Sequence, residues 1–369
     1  MHRFKVSIWS CFIFLAGGSY YAQAEVRFAI VADPHCWVGQ TVYYQNFQDI
    51  IAHVNQAQVD YVLLAGDLTQ NGAINQYDLY NTQIAQFSAP VLPVAGNHDV
   101  GDKISPVTSS GLTDARLDRY ESEIGPLFYS QVVAPNVRVV GATSSLMGSG
   151  FARESTQWTF LENNLAPTSP DEIVILLMHY PAFLNDVNEE ALYSNLDPGP
   201  RAQLLQLLDD NDTEYMITGH LHRPLLNVWN DVTFLTAPAV SFGVPNTVPP
   251  GWTLFTLHDD GSYTEEVQFF PLQPFPDADF DDDGDIDGGD FLVWQRGFGG
   301  SGTNQTGDAD GNGLVDGADL AIWEDMYGIG GGLSSASVVV PEPSSCILLV
   351  NILVMYLVVS QRCPNSHLS

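Results

Sequence analysis

Apolar and polar positions along residues 25–270 follow two alternating patterns. Short apolar runs predict strands, and the stretches between them have the spacing of helices. The predicted strands cover residues 26–32, 60–65, 90–95, 137–142, 173–178 and 215–218, followed by 232–236 and 252–258. The predicted helices cover residues 43–57, 74–87, 154–165 and 201–208. Strands that alternate with helices in this way indicate an α/β domain.

The two ends of the chain have different patterns. Residues 1–24 combine a basic start, an apolar run and the small-residue site Ala22-Gln23-Ala24, which together predict a cleaved secretory signal peptide. The alternative is a membrane anchor. Residues 271–276 and 329–340 are typical of linkers, and they flank an acidic repeat at 277–328. Residues 341–369 begin with Pro-Glu-Pro and continue into an apolar run at 346–359, which is shorter than the ~20 residues of a stable spanning helix.

Composition and charge narrow the classes of function. Apolar residues make up 45% of the 369-residue chain, so global disorder is excluded. The formal net charge is −32, which argues against binding of long nucleic acids. Between residues 277 and 325 there are 14 acidic residues and one basic residue, so this acidity needs its own explanation. Of the four cysteines only Cys36 lies in the body of the chain, so no disulfide framework is expected.

Acidic residues and histidines follow five of the predicted strands, at the point where each strand ends. In open α/β sheets, binding sites form beyond the carboxyl ends of strands, so these side chains are expected to meet. The residues, strand by strand, are Asp33 and His35; Asp67; Asn97, His98 and Asp99; His179; and His220 and His222. Imidazole and carboxylate ligands suit Zn, Fe or Mn, and a carboxylate can bridge two ions. The sequence therefore predicts a centre for two divalent or trivalent transition metals.

The series D-x-H, GD, GNHD, H and G-H-x-H, in this order, resembles the calcineurin-like metallophosphoesterase superfamily over residues 25–270. The resemblance implies a four-layer α/β/β/α sandwich. The ligands it implies are Asp33, His35, Asp67 and His222 for one metal, and Asp67, Asn97, His179 and His220 for the other. It also implies hydrolysis by a metal-bridging hydroxide, with His98 acting on the leaving group and Asp99 orienting His98.

The motifs also bear on the substrate. His35 stands where purple acid phosphatases lack a histidine, and residues 66–72 look similar to bacterial cyclic-nucleotide phosphodiesterases of the superfamily. Tyr180 stands where those enzymes often have a second histidine. We expect an exported hydrolase of small phosphate esters that prefers phosphodiesters. The alternatives are a phosphomonoesterase of the same superfamily and a non-catalytic surface or assembly protein that uses the fold as a scaffold.

Residues 277–328 contain two twelve-residue blocks that are offset by 29 positions. Their candidate Ca²⁺ ligands are Asp279, Asp281, Asp283, Asp285, Asp287 and Asp290 in the first block, and Asp308, Asp310, Asn312, Leu314, Asp316 and Asp319 in the second. Asp285 and Leu314 would bind through the backbone. Because position 12 is Asp and one short helix follows each loop, the pair resembles a type I dockerin. That resemblance implies a small Ca²⁺-loop/helix module and a cohesin-like protein partner, whereas the alternative is a disordered acidic linker.

The tail at 341–369 resembles a PEP-CTERM sorting signal, on the Pro-Glu-Pro motif and the apolar run. The resemblance implies recognition by cell-envelope sorting machinery. The alternative is an ordinary tail anchor. Together with the signal peptide, the tail predicts an extracellular or envelope-associated protein.

Overall fold

The computed structural model describes residues 25–244, 248–258, 260–270, 278–283, 285–309 and 313–327. The predicted signal peptide, the linkers at 271–276 and 329–340 and the tail at 341–369 lie outside the described residues. The candidate Ca²⁺ ligands Asp310 and Asn312 also lie outside them. Within the described part of the chain, no helix has the length and apolar character needed to cross a membrane.

The strands and helices alternate as the apolar pattern predicts. The strands are Val26–Val31 (β1), Tyr61–Leu64 (β2), Val91–Pro93 (β3), Tyr129–Ala134 (β4), Val137–Gly141 (β5), Ile173–Leu177 (β6), Tyr215–Thr218 (β7), Leu225–Trp229 (β8), Val232–Thr236 (β9), Gly251–Leu257 (β10) and Tyr263–Phe269 (β11). The helices are Thr41–Ala57 (α1), Ile74–Ile84 (α2), Asn97–Val100 (α3), Asp114–Glu123 (α4), Ala152–Asn164 (α5), Pro198–Asp210 (α6), Gly288–Gly297 (α7) and Gly317–Met326 (α8).

The strands form two sheets. One has the order β11-β10-β1-β2-β3 and the other the order β4-β5-β6-β7-β9-β8. In the first sheet β1, β2 and β3 are parallel, and in the second β5, β6, β7 and β9 are parallel. The carboxyl ends of the parallel strands in each sheet therefore lie along one edge of that sheet.

Side chains of β1 pack alternately into two cores, because successive residues of a strand face opposite sides. Phe28 and Ile30 are fully buried between the two sheets, in one cluster with Ile175 of β6. Ala29 and Val31 pack in a second cluster with residues of α1, α2 and α4. Each large apolar side chain buried in this way contributes about 1.5–3 kcal/mol to folding.

Helices α5 and α6 cover the outer face of the second sheet. Trp158 of α5 and Leu204 of α6 pack in one buried cluster with Val140 and Leu176 of the sheet. Helices therefore pack on the outer face of each sheet, and the whole is a mixed α/β sandwich.

Helices α7 and α8 have an apolar cluster of their own. Trp294, Val315 and Ile322 are buried in it, and Phe291 and Trp323 pack against them half-buried. Each helix begins with a matching cap, because Asp287 accepts a hydrogen bond from the Gly289 amide and Asp316 accepts one from the Ala318 amide.

Candidate metal centre

The candidate metal ligands lie beyond the carboxyl ends of strands from both sheets. Asp33, Asp67 and Asn97 follow β1, β2 and β3 of the five-stranded sheet. His179 follows β6 of the other sheet, and the pair His220 and His222 follows β7. The structure therefore brings together residues that are up to 189 positions apart in the sequence.

Five of the seven candidate ligands have backbone conformations that L-residues rarely adopt. Asp33, His35, Asp67, His220 and His222 have φ values of 55°, 45°, 50°, 71° and 52°. Left-handed conformations at residues other than glycine cost of order 1–3 kcal/mol each and cluster at functional sites. Packing and hydrogen bonds in the surrounding fold must therefore stabilise these five left-handed conformations.

Two glycines allow the close approaches that the centre needs. A Cβ added at Gly66 would lie 2.5 Å from Nδ1 of His179, and its φ of +88° also favours glycine. A Cβ added at Gly96 would lie 2.1 Å from both the backbone nitrogen and Oδ1 of Asp67. Any larger residue at either position would displace a ligand.

The first group of ligands consists of Asp33, His35, Asp67 and His222. All four are buried, and each offers one ligand atom within 4.8 Å of the others. Nε2 of His35 and Nε2 of His222 are 3.1 Å apart. Nδ1 of His222 lies 2.8 Å from the carbonyl of Phe242 and donates to it, which leaves the lone pair of Nε2 facing the group.

The second group shares Asp67 with the first and adds His179 and His220. Nε2 of His179 lies 3.2 Å from Oδ2 of Asp67, 3.2 Å from Nδ1 of His220 and 2.9 Å from Oδ1 of Asn97. Nδ1 of His179 donates to the Ala65 carbonyl at 2.7 Å, so Nε2 is again the atom presented to the group. Asp67 thus lies where it can bridge two ions.

Metal binding requires neutral imidazole, and three of the four histidines in the two ligand groups have a lowered pKa. Burial lowers the pKa of His35 and of His220 well below the usual value, and it lowers the pKa of His222 to about 4. Burial also opposes protonation of His179, but the carboxylates of Asp67 and Asp33 together with the Ala65 carbonyl outweigh it and raise this pKa to about 9. Without bound metal, a proton on His179 therefore neutralises part of the carboxylate charge, and a bound metal ion would displace this proton.

The donor atoms fit two transition-metal ions. Nitrogens that face each other at 3.1 and 3.2 Å are the arrangement expected of paired ligands that converge on one ion. The carboxylates supply negative charge, and Asn97 supplies a neutral oxygen beside His179. Imidazole ligands are typical of transition-metal sites, whereas Mg²⁺ and Ca²⁺ prefer oxygen ligands.

His98 lies beside the first group but is not one of its ligands. Its ring contacts the ring of His35 edge-on at a centroid distance of 4.5 Å. Its Nδ1 donates to the carbonyl of Gln70 at 2.6 Å, and its backbone amide donates to Oδ1 of Asp67 at 2.8 Å. The half-buried ring is thus held at the border of the centre, with Nε2 left for other contacts.

The contacts of Asp99 correct the expectation that this residue orients the His98 ring. Its carboxylate accepts hydrogen bonds from the amides of Leu68, Thr69 and Gly96 and from the Thr69 hydroxyl. It therefore ties the turn after β2 to the turn after β3, and the Gln70 carbonyl orients His98 instead. A GNHD motif places Asp99 next to His98 in sequence, but side chains at i and i+1 on a helical turn do not face each other.

Three contacts of the centre are not visible in the sequence motifs. Asn97 donates from its amide to Oδ1 of Asp102 at 3.0 Å and to the hydroxyl of Tyr193 at 3.1 Å. Phe242 packs on the ring of His222 at 4.3 Å. Tyr193 and Phe242 lie in loops with no motif, so only their position in space identifies them.

Comparison with known proteins agrees with this geometry. The calcineurin-like phosphoesterase family matches residues 26–224. A 3',5'-cyclic adenosine monophosphate phosphodiesterase, CpdA of Escherichia coli, is 25% identical over 265 residues, which cover 66% of this chain and 90% of that protein. A probable glycerophosphodiester phosphodiesterase, GpdQ of Arcobacter nitrofigilis, is 28% identical over 201 residues, which cover 53% of this chain and 68% of that protein.

Among solved structures, the purple acid phosphatase PPD1 from yellow lupin is 19% identical and aligns with a TM-score of 0.49, covering 67% of this chain and 52% of that one. The family match covers more than half of the chain and includes every buried ligand described above. The family depends on two metal ions, and the buried cluster of histidines and aspartates meets that need. The chain therefore belongs to the calcineurin-like phosphoesterase family and is a hydrolase that acts on phosphate esters.

Proposed function

We propose that the protein is an exported phosphodiesterase whose substrates are small phosphate diesters. The observation that carries this proposal is the pair of buried ligand groups that share Asp67, with Asp33 and His35 both in place. Relatives named as phosphodiesterases support the preference for diesters. When bound, two ions of Fe, Mn or Zn would act as Lewis acids toward phosphate oxygens and would activate a water molecule as the nucleophile.

The residues of the chain then have separate tasks. Asp67 and the surrounding ligands would hold the ions, and the left-handed backbone at Asp33 and His35 keeps these ligands aimed inward. His98 lies at the border of the centre with Nε2 available. Because Nδ1 donates to Gln70, Nε2 carries a proton only in the imidazolium form, and in that form it can donate a proton or a hydrogen bond to the leaving oxygen. Asp99 acts only through the backbone turns that it joins.

The test compares substrates on the full chain reconstituted with Fe, Mn or Zn. Bis-p-nitrophenyl phosphate is expected to be hydrolysed faster than p-nitrophenyl phosphate, and 3',5'-cyclic AMP and a glycerophosphodiester are the natural diesters to try next. His98→Ala is expected to lower kcat by about 10²–10⁴-fold. His258→Ala is the matched control, because that histidine is half-buried beside Glu25 and Thr264 and is not one of the candidate ligands. Faster hydrolysis of the monoester would favour the phosphatase alternative, and no hydrolysis by any reconstituted form would favour a scaffold.

We further propose that residues 277–328 bind Ca²⁺ as a dockerin-like module. Ligand atoms of Asp279, Asp281 and Asp290 lie within 4.8 Å of one another. The two repeats also repeat their contacts, since Asp290 accepts from the amide of Asp287 and Asp319 accepts from the amide of Asp316. Such a module would dock on a cohesin-like partner.

The Ca²⁺ test uses calorimetry on the full chain with its transition-metal site filled. Two further equivalents of Ca²⁺ are expected to bind, and Asp290→Asn is expected to remove one of them. Asp260→Asn, an exposed aspartate outside the repeats, is the control. Absence of Ca²⁺ binding by the wild-type chain would reject the module.

The proposed export and sorting rest on the sequence patterns at the two ends. Mass spectrometry of the exported protein is expected to find an N-terminus at Glu25 and a cleavage near the Pro-Glu-Pro motif. A chain that keeps residues 1–24 would instead indicate an N-terminal anchor. A chain that keeps its apolar tail would indicate a tail anchor.

A further inference from the structure

Tyr193 lies on the Asn97 side of the metal centre, in the loop between β6 and α6. Its hydroxyl oxygen accepts a hydrogen bond from Nδ2 of Asn97 at 3.1 Å. Its ring packs on the ring of His220 at a centroid distance of 5.0 Å. Since Tyr193 is 44% exposed, it borders both the ligands and the solvent from which a substrate arrives.

The hydrogen bonds of Asn97 determine whether the Tyr193 hydroxyl acts as a donor or as an acceptor toward it. The side-chain oxygen of Asn97 faces Nε2 of His179, and its two N–H groups donate to Asp102 and to Tyr193. The tyrosine oxygen therefore acts as an acceptor and keeps its own proton for another partner. Within the described residues, no acceptor for that proton is found.

The loop that carries Tyr193 is held firmly. Lys103 is 1% exposed, and its ammonium group donates to the carbonyls of Leu192 and Asn195 on either side of Tyr193. The same ammonium group contacts Oδ1 of Asp197 at 2.6 Å. A hydroxyl held in this way loses little conformational entropy when it binds a ligand.

We propose that the Tyr193 hydroxyl donates a hydrogen bond to a non-bridging oxygen of the phosphoryl group bound at this centre. The proposal rests on the proposed function. His98 contacts His35 in the first ligand group, and Tyr193 contacts His220 and Asn97 in the second. A phosphoryl group bound between the two groups would thus meet one donor from each side.

The experiment measures binding of inorganic phosphate to the full, metal-loaded chain by calorimetry, with the metal content determined for each sample. Tyr193→Phe keeps the ring on His220 and removes only the hydroxyl. It is expected to weaken phosphate binding by about 10-fold or more, as for a hydrogen bond to a charged group, while metal content stays at the wild-type level. Leu192→Ala, an exposed neighbour on the same loop, is expected to bind phosphate as the wild type does.

Several outcomes would overturn the proposal. Phosphate affinity of Tyr193→Phe within twofold of the wild type would show that the hydroxyl does not touch the phosphoryl group. A loss of metal together with phosphate would show that Tyr193 acts only by positioning Asn97. Failure of the wild-type chain to bind phosphate would overturn the contact as well.

The same measurements separate this proposal from the proposed function. A wild-type chain that hydrolyses esters, with Tyr193→Phe unchanged in phosphate binding, overturns only the role of the tyrosine. A wild-type chain that binds phosphate more tightly than Tyr193→Phe, yet hydrolyses neither nitrophenyl ester, overturns the proposed function and supports the contact.

Discussion

Replacement of Gly96 by alanine tests whether close packing at Asp67 controls the metal centre. The backbone of Gly96 has φ −100° and ψ 179°, which alanine adopts without strain. The added Cβ would nevertheless lie 2.1 Å from two atoms of Asp67, and real Cβ atoms essentially never approach closer than 3.0 Å. Gly96→Ala therefore perturbs the centre through steric contact alone.

The magnitude follows from that overlap. Asp67, or the turn that carries it, must move by about 1 Å, and a displacement of that size at a catalytic centre costs about 100-fold in rate. Overpacking of a buried site costs about 1–3 kcal/mol of stability, which corresponds to a Tm lower by about 2–12 °C for a domain of this size. Because Asp67 serves both ligand groups, we expect the content of both metals to fall.

The assay combines kcat/KM for bis-p-nitrophenyl phosphate, metal content and thermal unfolding. Gly317→Ala is the matched control, because Gly317 is the first residue of α8 and a Cβ added there meets nothing within 4 Å. That variant is expected to keep wild-type activity and to be equally stable or up to ~1 kcal/mol more stable. A Gly96→Ala protein with full metal content and a rate within about threefold of the wild type would refute the steric reasoning.

Three further predictions concern other parts of the molecule. Hydrogen bonds from Arg138 lower the pKa of the buried Glu172 to about 2, so the ionised carboxylate contributes about 3 kcal/mol to stability above pH ~4.5, and this contribution is lost as pH falls toward 2. The free energy of unfolding of Glu172→Gln should therefore be lower than that of the wild type at neutral pH, and the difference between the two proteins should shrink as pH falls from ~4.5 to about 2. A difference that stays constant over that range would contradict this reasoning. Chelation of the metals should abolish ester hydrolysis by the wild type, and re-added metal should restore it. In Asp67→Asn, re-added metal should fail to restore hydrolysis. Restored hydrolysis in that variant would argue against a bridging role for Asp67. Trp323→Phe removes the hydrogen bond from its indole to the Asp287 carbonyl and should lower the melting temperature of the α7–α8 region by an amount equivalent to about 1 kcal/mol, measured by calorimetry on the full chain.

Most of the strands that the sequence predicted are buried, and β3, which is half-buried at a sheet edge, is an exception. The runs at 26–32 and 173–178 became β1 and β6, whose residues are almost all buried. The sequence did not predict β4, β8 or β11, and all three lie at sheet edges. In β4 the residues are exposed or half-buried, so no apolar run marks the strand. Edge strands form because a neighbouring strand offers hydrogen bonds, which a local pattern does not record.

The loops were also harder to predict than the strands. The sequence predicted no helix between residues 100 and 130, yet this stretch contains helix α4, whose Leu117 and Tyr120 are buried. This helix is short and strongly polar, and its packing on the α1–α2 layer stabilises it. Cys36 is a small packed residue, since it is buried and its sulfur accepts a hydrogen bond from the side-chain amide of Gln83.

The sequence by itself indicated the kind of chemistry of this protein, because residue types such as Asp33, His35 and His179 at strand ends are typical metal ligands. The tertiary structure decided how these groups meet, because ligands from two sheets converge only when the sheets pack face to face. It also decided that Gln70, rather than Asp99, holds His98, and that the Tyr193 hydroxyl accepts a hydrogen bond from Asn97 beside the centre. The physical reason is that local sequence fixes the direction of a strand and its side-chain period. Distances between loops depend instead on packing and on long-range anchors such as the buried ammonium group of Lys103.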